Sequence, residues 1–185
     1  MMNHEEMVER ILQMGAQHAA VIPMKEVRFE KSFRDMCASN ACGMYGKSWM
    51  CPPYVGEPEE LIARAQKYEY VLVYQTIGKL EDSYDFEGMM EAGQKMNDLT
   101  QRVRDELKDE IDPHSLLLGA GGCRLCPVCA KREEKPCRFP DKALASLEAY
   151  CISVSDLAAS SGMKYINGQN TVTYFGAVMF NESKS

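Results

Sequence analysis

Tyr70-Val-Leu-Val-Tyr-Gln-Thr-Ile77 decides how this chain is read. The run is nearly continuous in apolar and β-prone residues, so it is expected to be a strand at the centre of a sheet. Before it, Glu57-Pro58 suits a helix start, and Leu61, Ile62 and Ala65 follow on one face. After it, Gly78 to Asp85 is polar and reads as a loop. From Phe86 to Ile111 the apolar positions Phe86, Met89, Met90, Met96, Val103, Leu107 and Ile111 recur at helical spacing, with charges on the opposite face and Pro113 as the stop. Ser115 to Leu118 is a short strand leading into Gly119, and Thr171 to Phe180 a long final strand. The turn Gly168-Gln-Asn170 is expected to pair that strand with Lys164–Asn167.

Further out, Glu5 to His18 has the pattern of an amphipathic helix, and Val21 to Phe29 that of a strand broken by Pro23. Asp141 can cap a helix running to Cys151, and Ser153 or Ser155 another that ends at Gly162. Residues 181–185 are expected to fray. Strands and helices alternate, which predicts a single α/β domain over residues 1–185, with a central mixed sheet flanked by helices.

The 185 residues carry 45% hydrophobic and 26% charged residues, an ordinary globular balance. The formal charge of −6 argues against nucleic-acid binding as the main role. No apolar run approaches the length of a membrane span, and no basic-then-apolar leader is evident. Eight cysteines are many for this length, and without a leader they imply a reducing, cytoplasmic setting in which clustered thiols serve metals. The thirteen methionines read as core filler.

The cysteines fall into two loops. In residues 119–140, Cys123, Cys126 and Cys129 form a C-x2-C-x2-C run, and Cys137 follows one short loop later. Such runs hold the iron corners of cubane clusters. A single Zn²⁺ more often takes two separated C-x2-C pairs, and cysteines this close in sequence make poor disulfide partners. Iron–sulfur therefore ranks first, zinc second and disulfides third. Gly119, Gly121 and Gly122 would let backbone N–H groups approach the cluster sulfurs. Arg124, Lys131, Arg132, Lys135 and Arg138 could stabilise an anionic cluster or meet an acidic redox partner, and read equally well as solvated charges.

In residues 37–54, Cys37, Cys42 and Cys51 supply only three thiolates, in a loop marked by Gly43, Gly46, Pro52 and Pro53. Either Cys151 completes the set, or the fourth iron is open or takes a ligand other than cysteine. Lys47 is a candidate for contacting the cluster or a bound anion, and Trp49 is expected to be a core anchor. His4, His18 and His114 are dispersed and read as ordinary surface residues.

Together, Cys42-Gly-Met-Tyr-Gly-Lys-Ser-Trp-Met-Cys51-Pro-Pro, Gly122-Cys-Arg-Leu-Cys-Pro-Val-Cys129, Cys137-Arg-Phe-Pro140, Ser146-Leu-Glu-Ala-Tyr150 and Thr171-Val-Thr-Tyr-Phe-Gly176 resemble domain-of-unknown-function family 2284, predicted metal-binding proteins found mainly in anaerobic bacteria and archaea. The resemblance implies a cytoplasmic metal-binding, iron–sulfur protein and no particular reaction. It makes Cys37, Cys42, Cys51, Cys123, Cys126, Cys129 and Cys137 the metal positions, and implies glycine in many relatives where this chain has Cys151. The expectation is thus a protein with two [4Fe-4S] clusters that passes electrons to a redox partner. The alternatives are an enzyme for reduction or sulfur removal, with a small ligand at an open iron, and a zinc-stabilised binding module.

Overall fold

The computed structural model describes residues 2–182. Four strands form one sheet in the order β1-β2-β4-β3: β1 (His18–Pro23), β2 (Tyr70–Lys79), β3 (Leu116–Leu118) and β4 (Thr171–Phe180). As its apolar run predicts, β2 is central, paired with β1 on one side and along its whole length with β4 on the other. All three pairings are antiparallel, which corrects the expected mixed sheet. A strand buried on both faces reads as a continuous apolar run whichever way its neighbours point, so the pattern could not carry strand direction.

Alternate side chains of β2 enter two separate cores. Leu72 and Tyr74 pack with Val178 and Phe180 of β4 against α1 (His4–Gln13) and α4 (Phe86–Arg102). The latter helix continues through a π-helical turn, Val103–Leu107, into α5 (Lys108–Ile111), so the long helix read from the sequence is present with one irregular turn. Val71 and Val73 face the other way, towards α3 (Pro58–Ala65), α6 (Val154–Ser160) and the segment from Ala145 to Ile152.

The helix starts follow from local chemistry. Asn3 and Glu6 form a reciprocal capping box on α1, with Asn3 Oδ1 accepting from Glu6 N–H at 2.9 Å. Pro58 opens α3, and Asp85 caps α4 by accepting from Gly88 N–H at 2.8 Å. Backbone N–H groups of Glu81 and Gly88 hold the Asp85 carboxyl below its usual pKa. Gly162, at φ 72°, follows α6 as read.

Several local expectations fail, and the first helix stops at Gln13 rather than running to His18, which opens β1. Val27–Phe29 is not a strand and contributes one bridge, Phe29 to Ile152. Lys164–Asn167 does not pair with β4 as a strand; side chains do the joining, with Asn167 Nδ2 donating to Thr173 Oγ1 (2.9 Å). The span from Asp141 to Cys151 is not a helix but a loop ending in one 3-10 turn, Glu148–Tyr150. Its hydrogen bonds go to the mouth of β3: Gly119 N–H donates to Ala145 O (2.9 Å) and Leu147 N–H to Gly119 O (3.1 Å). This clamp fixes where the second cysteine loop begins. Asn181 is held rather than frayed, its amide oxygen accepting from Glu69 N–H (2.9 Å); residues 183–185 lie outside the described part. No helix among the described residues is long and apolar enough to cross a membrane.

Candidate metal centre

The second cysteine loop leaves the sheet at Leu118 and turns at Gly121, whose φ of 70° suits glycine. Cys123, Cys126, Cys129 and Cys137 all line one cavity, closed on its other side by Ser48, Trp49 and Met50 of the first loop. The cavity is small, about 20 Å³, and is partly open to solvent. Burial raises the Cys129 pKa, but this is outweighed by the N–H groups of Lys131 and Trp49, the Ser48 hydroxyl and the Arg138 charge, so the net shift is downward. These donors favour the thiolate form of Cys129 over the thiol. Arg138 lies against Cys126 and donates to Val128 O (2.9 Å).

In the first loop, α2 (Phe33–Ala38) delivers Cys37. Arg34, one turn earlier, anchors that helix by donating to Ala149 O (3.0 Å) and Gly56 O (2.6 Å). Gly46 N–H donates to Pro52 O (2.9 Å) and Cys51 N–H to Ser48 O (3.2 Å), which curls the loop back on itself. Cys37, Cys42 and Cys51 lie within electrostatic reach of one another. Burial raises the pKa of Cys37 and of Cys51, and the neighbouring thiols raise both further. Cys42 is exposed and opens this site to solvent.

The two loops meet. A Cβ on Gly122 would lie 3.4 Å from Cys51 Sγ, and Cys51 also feels the charge of Cys123. The hydroxyl of Ser48, a residue only 1% exposed, faces both Cys51 and Cys129. Trp49 is not the core anchor expected of it. It is half-buried between the loops, its indole N–H donating to Lys135 O (2.8 Å). The Lys131 ammonium sits 4.4 Å from the Tyr54 ring centre and 5.3 Å from that of Trp49, and is paired with Glu134. The Lys131 side chain is therefore a buried latch and not a solvated charge. Arg124 reaches over α4 at Gly93, where a Cβ would meet its Nη1 at 3.1 Å. Lys47 is exposed at the loop surface.

The family model described as predicted metal-binding protein (DUF2284) matches residues 20–180, a span that takes in both cysteine loops. The chain belongs to this family. No curated protein and no solved structure gives a match.

DUF2284 proteins are predicted to bind metal. Among the described residues, no backbone N–H from Ala120 to Cys129 donates to a carbonyl or side-chain oxygen, so these obligatory donors are left for solvent or for a bound group. All eight cysteines are free. Among the described residues, no three Cys, His, Asp or Glu side chains converge closely enough to hold one ion. The thiols of the second loop instead ring a cavity.

Sequence reading missed Ser48, Arg34 and the role of Lys131. Ser48 stands inside a stretch that carries the family resemblance, but only the meeting of the loops shows what it faces.

Proposed function

We propose that this DUF2284 chain is a single-domain iron–sulfur protein whose two adjacent clusters pass electrons to a redox partner. The observation that carries the proposal is that Cys123, Cys126, Cys129 and Cys137 all line one cavity. A cubane keeps its four thiolates further apart than a single tetrahedral Zn²⁺ does, because an iron stands between each sulfur and the centre. When bound, such clusters supply one-electron chemistry. The contact of Gly122 with Cys51 would keep the centres close enough for exchange. Free thiols throughout suit a cytoplasmic location.

In this reading Cys123, Cys126, Cys129 and Cys137 hold the first cluster, and Cys37, Cys42 and Cys51 supply three corners of the second. The N–H groups of Gly121 and Gly122 are free to meet cluster sulfurs. Exposed Lys47 is a candidate for meeting a bound anion. The solvent access at Cys42 favours a second role, reduction of a small molecule entering there. The reading is tested by anaerobic titration of purified protein with dithionite. Two one-electron steps with bleaching of the visible absorbance are expected; a colourless protein that takes up no electrons would contradict it.

Ser48 faces thiols of both loops with a hydroxyl that carries one proton, so it can donate fully to Cys51 or to Cys129 but not to both. Ser48→Ala is expected to lower the midpoint potential of one cluster by about 60 mV, the equivalent of about 1.4 kcal/mol in a one-electron couple. Redox titration followed by EPR reads the shift. No change at either centre would show that the hydroxyl does not donate to a cluster ligand.

A further inference from the structure

We infer that a small carboxylate binds between α4 and the second cysteine loop, beside Cys123, and lowers the potential of the four-cysteine centre. The binding site stands on this chain's own residues, and the effect on potential rests on the iron–sulfur reading above.

A second cavity opens where α4 passes the start of this loop. Asn97 and Gln101 of α4 line it, with Arg104 from the π-helical turn and Arg124 from the loop. Cys123 lines both this cavity and the one shared by the four cysteines. Thr100 also lines it, but its hydroxyl is engaged by Tyr74 at 2.9 Å.

Arg124 lies between the two walls. A Cβ on Gly93 of α4 would be 3.1 Å from its Nη1, and one on Gly121 of the loop 3.6 Å from its Nη2. Among the described residues Arg124 pairs with no carboxylate. The side chains of Arg124, Asn97 and Gln101 make no hydrogen bond among those residues either. Arg104 differs, since it pairs with Asp105 at 2.8 Å and donates to Lys142 O at 3.3 Å. No Asp or Glu lines the cavity, although the chain carries 27 of them. A guanidinium without a counter-ion, beside two amides without partners, is suited to an anion.

Size and walls narrow the class. The cavity is about 20 Å³ and partly open to solvent. That is room for roughly one or two groups of water size, too little to enclose a nucleotide. A carboxylate is small enough, and it is planar, so one guanidinium can donate to both its oxygens. Met96, Leu125 and Leu144 supply apolar wall, which suits a short carbon chain better than the oxygens of a phosphate. A negative charge held beside Cys123 disfavours the more electron-rich, reduced centre. Binding therefore lowers the potential, and reduction weakens binding by the same factor.

The test is calorimetric titration of anaerobically purified full-length protein with acetate, and with inorganic phosphate for comparison. Acetate is expected to bind once per chain. Arg124→Gln, and Asn97→Leu, which leaves the cysteine loop unaltered, are each expected to weaken it about tenfold or more. Phosphate binding in place of acetate, or acetate binding unchanged in both variants, would overturn the inference. Redox titration followed by EPR is then expected to show saturating acetate lowering the potential of the four-cysteine centre by about 59 mV, which is tenfold weaker binding to the reduced form. A potential that stays put while acetate binds would overturn the coupling. An iron-free chain that still binds acetate through Arg124 would support the site and overturn the iron–sulfur reading, and with it the coupling.

Discussion

Cys129→Ala is expected to empty the four-cysteine centre and lower the iron content of purified protein from about eight to about four per chain. Alanine is the informative choice, because serine could still offer an oxygen to the metal. Burial raises the Cys129 pKa, but donors from three directions bring it down on balance: Lys131 N–H, the backbone N–H of Trp49 and the Ser48 hydroxyl. Removing the sulfur orphans all three donors in a half-buried place, a cost that adds to the lost metal bond. Two of the donors, Trp49 and Ser48, belong to the first loop. The variant should therefore also loosen the contact between loops, seen as faster hydrogen exchange from Gly46 to Pro52. Iron analysis checks the prediction, and an unchanged count would show that Cys129 is not a ligand.

Gly176→Ala is expected to destabilise the fold by about 3 kcal/mol or more, which for a chain of this size lowers the melting temperature by roughly 10 °C. Gly176 stands opposite Tyr74 in the β2–β4 register. A Cβ there would lie 2.3 Å from Tyr74 Cζ and 2.4 Å from its hydroxyl oxygen. Tyr74 has no room to yield, because it is fully buried among the residues between the sheet and α4. Its hydroxyl is hydrogen-bonded to Thr100 Oγ1 of α4 at 2.9 Å, and burial raises its pKa. Moving the ring breaks that bond and leaves two buried polar groups without partners. Thermal unfolding followed by circular dichroism measures the effect. A shift of only a degree or two would mean that the ring can move aside freely.

These two substitutions mark what was legible in the chain. The place of β2 could be read from Tyr70 to Ile77, since a strand covered on both faces needs apolar residues on both. The caps of α3 and the length of the α4–α5 rod were readable because proline and helical periodicity act locally. Strand direction was not readable, since the same side chains serve either orientation. The span from Asp141 to Cys151 misled because its hydrogen bonds go to Gly119, far off in sequence, rather than along itself.

The site shows the same division. Spacing was enough to gather Cys123, Cys126, Cys129 and Cys137, because three of them sit within one short turn-rich loop. The meeting of Cys51 with Gly122 and the place of Trp49 between the loops depend on contacts between distant segments. No local pattern encodes them. In the sequence Lys131 reads equally as a cluster-stabilising or a solvated charge, and only the folded chain brings its ammonium over the rings of Trp49 and Tyr54.

The central claim is that two iron–sulfur clusters occupy neighbouring loops of one small α/β fold. Its most direct test is quantification of iron, acid-labile sulfide and zinc in protein purified without oxygen. The account predicts about eight irons and about eight sulfides per chain, with zinc in trace amounts. Stoichiometric zinc with neither iron nor sulfide would contradict it.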